Sequence, residues 1–316
     1  MKLAIVGATG MVGKKMLEIL EEKRITPDEL YLFADKKSKG VFVLTKDIAK
    51  NLKVDFVLLA VPAEISKIYA PIFEANNAVI IDNSSAYRMC ADVPLCVPEV
   101  NLEALAAKKR IIANPNCTTI MAVLPLNALK KFGIKRVIYS TYQAVSGAGI
   151  GGISDLKNTS KNKPNQTFKH RIFDNLIPQI DDFLESGYTK EEQKLMDETK
   201  KILNLPNLQV SATCVRVPIA NCHSASVFVE FEKEFDMKDI YTAFYAQEGL
   251  IVRDSPKQFD YPMPIIAENK DEVFIGRIRR DESTKNALSF FISSDNVRKG
   301  AAGNAVQILE RICKTE

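Results

Sequence analysis

The chain has 316 residues, 43 lysines and arginines against 39 aspartates and glutamates, and a formal net charge of +4. At roughly 150 residues per domain, that length accommodates two domains, each large enough for its own core. With 46% hydrophobic residues, 14 glycines and 14 prolines, it is not collagen-like, low-complexity or largely disordered, and so small a basic excess leaves no nucleic-acid footprint. The 6 cysteines form no CxxC pair and the 2 histidines are His170 and His223, which argues against a disulfide scaffold and requires no metal. No run approaches about 20 apolar residues, so no membrane span is expected. The MKLAIVG start enters a glycine turn without the segments of a signal peptide, and a reducing compartment is expected.

In chain order, residues 2–6 read as a buried strand, Gly7–Gly13 as a turn and residues 11–23 as a helix that starts inside the turn. The GATGMVG spacing of Gly7, Gly10 and Gly13 lets backbone donors approach a pyrophosphate at a helix N-terminus, although alone it serves a tight structural turn equally well. Continuous apolar runs at 30–34, 54–62, 78–82 and 110–115, with helices at 64–76 and 101–109, supply a parallel α/β setting. A ligand then belongs at the carboxyl ends of the strands. After LYLFA, Asp35 suits the free ribose hydroxyl of NAD, whereas the neighbouring lysines and Ser38 suit the added phosphate of NADP; a solvated polar turn is the alternative. The expectation is NADP preference.

The pattern changes at about residue 117. RIIANP leads into a helix at about 117–132, so Cys117 stands where helix-terminal N–H groups favour a thiolate and neighbouring donors can hold an oxyanion. Packing is the competing role for any cysteine, and it is the one read for Cys90, Cys96, Cys214 and Cys313. Alternating segments at 208–220, 224–232, 272–280 and 287–293 read as antiparallel strands, with helices around 190–203 and 237–247 and a terminal helix from NVRKGAAG onward. RVPIANCHSAS places Arg216 seven residues before His223, an anion anchor and an acid/base candidate joined by a turn. Gln143, Arg88, the i,i+3 pair Glu191 and Lys194, and Asn175 with Gln179 complete a polar set, each member with an ordinary surface or structural role as its alternative.

Taken together and in order, GATGMVG, SSAYRM, DVPLCVPEVN, NPNCTT, YQAVSGAG, IPQIDDF, GYTKEEQK, RVPIANCHS and DNVRKGAAGNAVQ resemble the aspartate-semialdehyde dehydrogenase family from residue 1 almost to the terminus. The resemblance implies an α/β Rossmann-like NADP-binding domain at 1–116, an α+β mixed-sheet catalytic and dimerisation domain at 117–295, and a C-terminal helix at 296–316 returning to the first domain. It implies Cys117 as acylated nucleophile, His223 as acid/base residue, Gln143 as the orienting glutamine, Arg216 as carboxylate anchor, Arg88 with Lys194 as phosphate pair and Glu191 as a substrate-binding glutamate. Gly7, Thr9, Gly10, Met11, Val12, Gly13, Lys37 and Ser38 correspond to dinucleotide contacts. Asp35 stands where a small polar residue is common, and Cys222 replaces the glycine that commonly precedes the histidine.

The implied protein is a cytoplasmic homodimer with no nucleic-acid or membrane partner. Its implied reaction is reversible reductive dephosphorylation of 4-phospho-L-aspartate to L-aspartate 4-semialdehyde through a cysteine thioester. That step serves biosynthesis of lysine (with diaminopimelate), threonine, methionine and isoleucine. A phosphorylating reductase for a longer N-acetylated acyl phosphate and a noncatalytic nucleotide-binding protein are the competing readings.

Overall fold

The computed structural model describes residues 1–35, 41–107 and 109–314. The chain divides into two compact units, Met1–Asn116 with Ala301–Glu316, and Cys117–Gly300. In the first, strands β1 (Lys2–Val6), β2 (Glu29–Ala34), β3 (Phe42–Val43), β4 (Phe56–Leu59), β5 (Val79–Asp82) and β6 (Ile111–Ala113) alternate with helices α1 (Met11–Glu22), α2 (Lys46–Asn51), α3 (Ala63–Ala75) and α4 (Pro98–Asn101). All five pairings are parallel, in the order β3-β2-β1-β4-β5-β6. This is the doubly wound dinucleotide-binding order, whose direction reverses between β1 and β4. Continuous apolar strands suit burial on both faces: Leu3 and Ile5 share one cluster with Met16, Ile19 and Leu20 of α1 and with Ala305, Val306, Ile308 and Leu309 near the C-terminus.

The helix expected over 101–109 is instead α4 followed by a 3-10 segment, Leu102–Ala107. Pro98 presets the first helical residue, and the buried Asn101 side chain turns back to bind the Val97 N–H and the Leu95 carbonyl, both at 2.9 Å. The regular helix therefore begins earlier than its apolar pattern suggests.

The second unit contains α5 (Cys117–Leu129), β7 (Ile134–Gln143), α6 (Gly149–Thr159), α7 (Lys190–Leu203), β8 (Gln209–Arg216), β9 (His223–Phe231), α8 (Met237–Ala246), β10 (Leu250–Val252), α9 (Pro264–Ala267), β11 (Val273–Arg280) and β12 (Ala287–Ser294). Its sheet runs β10-β11-β12-β9-β7-β8. The sheet is mixed, as the resemblance implies: β9 lies antiparallel to β7 and β12 and β11 to β12, whereas β8, read as an antiparallel strand, runs parallel to β7, and β10 runs parallel to β11. A parallel pair needs a long crossover, and residues 144–208 supply it between β7 and β8. Strand β7 itself escaped the sequence reading, although Val137, Tyr139, Thr141 and Gln143 alternate inward along it.

The terminal segment is not one helix. Asp295 Oδ1 accepts the N–H groups of Val297 (2.9 Å) and Arg298 (2.7 Å), and its carbonyl accepts Gly300 N–H at 3.0 Å. That five-residue reach opens a π-helical turn, Arg298–Gly303, before α10 (Asn304–Cys313). Asn304 then ties α10 into the first unit, donating to the Cys96 carbonyl (2.9 Å) and to Asn114 Oδ1 (2.7 Å).

Candidate active site

Cys117 opens α5, a helix buried on nearly every side, so the thiol is fixed at a helix N-terminus by a core element and remains partly exposed. The π-turn brings Gly300 against it: a β-carbon on Gly300 would stand 2.8 Å from Cys117 Cβ. At the end of β7, Gln143 is paired in register with Arg216 at the end of β8. The buried Gln143 amide donates to Glu191 Oε1 across 3.1 Å and accepts from Thr141 at 3.1 Å, which fixes its orientation.

The backbone of Ala144 holds two candidate residues at once, through the two peptide groups that flank its α-carbon. Its N–H donates to His223 Nδ1 at 3.0 Å, and its carbonyl accepts Arg216 Nη1 at 2.6 Å. Gly147 closes over both, since a β-carbon there would stand 2.7 Å from Arg216 Nη1 and 3.3 Å from His223 Nε2. His223 is fully buried, and burial followed by the Arg216 charge holds its pKa well below 6.5, with the Cys222 carbonyl opposing weakly. The ring is therefore neutral at pH 7, with its proton on Nε2 because Nδ1 is an acceptor. Both His223 Nε2 and Arg216 Nε are buried without a hydrogen-bond partner, donors available to a ligand. Burial also lowers the Arg216 pKa, against opposing interactions with Glu191, Cys117 and Cys214.

Glu191 and Lys194 lie in the first turns of α7, which Thr189 and Glu192 cap reciprocally. Lys194 Nζ is 3.6 Å from Glu191 Oε2 and 2.7 Å from Asp181 Oδ2, so the lysine is already in a carboxylate pair. Asn175 and Gln179 make local backbone bonds, to the Arg171 carbonyl at 2.8 Å and the Asp181 carbonyl at 3.2 Å. These bonds shape the 160–188 excursion, the structural role that is the alternative for both side chains.

In the first unit, Gly7 has φ +87°, and its N–H and that of Ala8 both reach the Phe33 carbonyl, at 2.8 and 3.0 Å. A β-carbon on Gly7 would stand 2.2 Å from the Ala60 carbonyl oxygen, across the point where strand order reverses, and one on Gly13 would meet the Gly7 carbonyl at 2.3 Å. The glycines thus close the turn tightly, while Gly10 caps α1 without a side-chain bond and leaves the first-turn N–H groups of Met11, Val12 and Gly13 for an anion. Thr9 belongs to the same turn. This arrangement fits a dinucleotide pyrophosphate. Asp35 is exposed after β2, and Lys37 and Ser38 lie outside the described residues. Arg88 is buried, donating to the Asn114 carbonyl (2.9 Å) and the Asn83 carbonyl (2.7 Å). Among the described residues, no cluster is arranged to hold a metal, and no helix is long and apolar enough to cross a membrane.

Sequence reasoning missed Ala144, Gly147, Gly300 and Asn296. The glycines of SGAG and RKGAAG were visible, but not what they press against. Asn296 Oδ1 accepts the Cys222 N–H at 3.0 Å, and its amide nitrogen lies 3.0 Å from Ser146 Oγ, tying the turn before His223 to the turn after Ala144.

A parallel sheet in the dinucleotide-binding order, joined in one chain to a mixed-sheet unit that carries a helix-terminal cysteine and a buried histidine, is the architecture of a two-domain dehydrogenase. The model described as "Semialdehyde dehydrogenase, NAD binding domain" matches residues 2–108, and that described as "Semialdehyde dehydrogenase, dimerisation domain" matches residues 123–299. An aspartate-semialdehyde dehydrogenase of Aquifex aeolicus is 47% identical, covering 99% of this chain and 98% of its own. The crystal structure of aspartate-semialdehyde dehydrogenase II of Vibrio cholerae complexed with ASA superposes with a TM-score of 0.93 at 39% identity, covering 99% of this chain and 98% of its own. That of a Candida albicans aspartate-semialdehyde dehydrogenase with NADP gives 0.74 at 25% identity, covering 98% and 97%. The chain belongs to the aspartate-semialdehyde dehydrogenase family.

Proposed function

We propose that the protein is an NADP-dependent, phosphorylating aspartate-semialdehyde dehydrogenase that interconverts 4-phospho-L-aspartate with L-aspartate 4-semialdehyde and phosphate. The observation that carries this reading is the Ala144 backbone, whose N–H and carbonyl hold the neutral His223 ring and the Arg216 guanidinium on one turn beside Gln143. In the reductive direction, Cys117 Sγ attacks the acyl carbon, and the resulting oxyanion collapses with expulsion of phosphate to leave a thioester. The bound dinucleotide supplies the hydride. With Nδ1 occupied by Ala144, His223 works through Nε2, sharing its proton with the reacting oxygen while charge builds there and keeping it as the oxyanion collapses. The thiolate then leaves and the aldehyde is released.

Arg216 anchors the substrate carboxylate, Glu191 takes its amino group and Gln143 orients the acyl carbon. Arg88 and Lys194 hold the transferring phosphate, for which Lys194 exchanges Asp181 as its partner. Met11, Val12 and Gly13, with Gly7, Thr9 and Gly10, cradle the pyrophosphate; Lys37 and Ser38 take the ribose phosphate, which favours NADP over NAD. The protein acts as a homodimer in the cytoplasm, and the half-exposed Ile138 and Tyr142 on the outer face of β7 provide an apolar surface for the pairing.

The test is a spectrophotometric assay with aspartate semialdehyde and NADP, with and without phosphate. Turnover is expected to require phosphate, to favour NADP over NAD and to vanish in Cys117→Ala while NADP binding survives. Phosphate-independent turnover, or unchanged turnover in that variant, overturns the thioester reading.

A further inference from the structure

Between α6 and α7 the chain runs from Ser160 to Thr189 with no helix or long strand of its own. Loops of that length in compact domains tend to be functional when they are ordered. This one is pinned from within. Asp155 of α6 is buried, and its carboxylate accepts three consecutive N–H groups, from Gln166 (2.8 Å), Thr167 (2.7 Å) and Phe168 (2.8 Å). Burial would raise the Asp155 pKa, and the three donors outweigh it and hold the carboxyl below its usual range. Gly151 permits the close approach, since a β-carbon there would stand 2.4 Å from Thr167 Oγ1.

The pinned segment delivers Phe168 to Arg216, with the guanidinium carbon 5.9 Å from the ring centroid. Phe168 also packs against the small cluster of Val145, Ile172 and Ile177. Ile177 in turn exchanges both backbone bonds with Arg216, at 3.0 and 2.9 Å. The guanidinium is thus bounded by an aromatic face and by the Ala144 carbonyl, while its Nε is left unpartnered. An arginine held this way presents its remaining donors in one orientation, which is what recognition of a planar carboxylate needs.

We propose that Asp155 and Phe168 are positioning residues that set the orientation of the Arg216 guanidinium, and through it the enzyme's affinity for the carboxylate of its amino-acid substrate. The proposal rests on the reading of Arg216 as carboxylate anchor, and the experiment separates the two. Kinetics are measured with aspartate semialdehyde, phosphate and NADP for Phe168→Ala, Phe168→Tyr, Asp155→Asn and Arg216→Ala. Phe168→Ala is expected to raise KM for the semialdehyde about tenfold, the size supported by a cation–π contact to a buried guanidinium, with kcat changed less than about threefold. KM for phosphate and for NADP stays at the wild-type value, Phe168→Tyr restores the semialdehyde KM to within about twofold, and Asp155→Asn follows Phe168→Ala. If Asp155→Asn does not fold, the two Phe168 variants decide. An unchanged semialdehyde KM in Phe168→Ala, or a parallel rise in all three KM values, overturns the proposal. If Arg216→Ala itself leaves the semialdehyde KM unchanged, the anchor reading falls instead.

Discussion

The backbone N–H of Ala144 donates to His223 Nδ1 across 3.0 Å, in a site where the ring is fully buried. One bond therefore fixes both tautomer and charge: the imidazole is a neutral Nε2–H donor, and protonating it would mean adding charge beside Arg216 and displacing an amide donor. The bond also couples the two halves of the polar set, because the Ala144 carbonyl takes the Arg216 guanidinium.

That neutral ring gives stability a defined pH dependence. The folded-state pKa of His223 lies well below the 6.5 of an unperturbed histidine, so between those values the unfolded chain binds the extra proton. The contribution is complete above about pH 6.5 and is lost as pH falls toward the folded-state value, by at most about 1.4 kcal/mol per pH unit. Urea midpoints from pH 7.5 to 5.5 are expected to fall for the wild type and to fall less steeply for His223→Gln. Parallel curves would sink the assignment of a buried neutral histidine.

Gly147 is expected to be needed for activity far more than for folding. Its φ is not left-handed, so alanine is acceptable to the backbone, but the added β-carbon would press on Arg216 Nη1 at 2.7 Å and His223 Nε2 at 3.3 Å. Displacing both groups from productive geometry predicts a loss of about 100-fold in kcat/KM for Gly147→Ala. The thermal midpoint is expected to move little. A variant with wild-type kinetics would show that the two side chains have room to shift.

How much of this was legible depended on whether the interaction was local in sequence. The glycine turn after β1, a cysteine at the start of α5 and Glu191 beside Lys194 on α7 are short-range patterns, and the chain displays them openly. The parallel pairing of β7 with β8 is not such a pattern, because register between Gln143 and Arg216 is set across 73 residues by a crossover whose length alone hints at it. Nor can a sequence show that Ala144, an unremarkable residue by composition, holds both His223 and Arg216 through its backbone N–H and carbonyl. The single terminal helix failed for the same reason, since the Asp295 carboxylate and carbonyl reorganise its first turn.

Gly7→Ala should injure fold and cofactor binding together. The substitution places a side chain at φ +87° and drives its β-carbon to 2.2 Å from the Ala60 carbonyl oxygen, a backbone atom that cannot rotate away. Left-handed strain of about 1–2 kcal/mol and overpacking of a similar size suggest a loss of about 3 kcal/mol. Chemical denaturation should record that loss, and NADP titration a weakened complex. Full stability in the variant would mean that β1 and β4 separate more readily at the reversal point than their packing implies.

Cys222 offers the last test, because it carries a side chain where the backbone favours none. Its φ is +71°, its N–H is committed to Asn296 Oδ1 at 3.0 Å, and its side chain is buried against Ala267 and Phe274. Burial, then Asp295 and Glu268, push the thiol pKa upward, so the group is a poor nucleophile and a poor redox sensor despite its place beside His223. Cys222→Ala removes the sulfur while keeping the strained conformation, and a loss of about 1 kcal/mol is expected. Cys222→Gly removes more buried surface but releases left-handed strain of about 1–2 kcal/mol, so it should be no less stable than the alanine variant, the reverse of the usual order at a buried site. Both variants should retain turnover, since the thiol has no part in the proposed chemistry. A glycine variant more than about 1 kcal/mol below the alanine variant in urea would show that the packing of this side chain outweighs the strain it imposes.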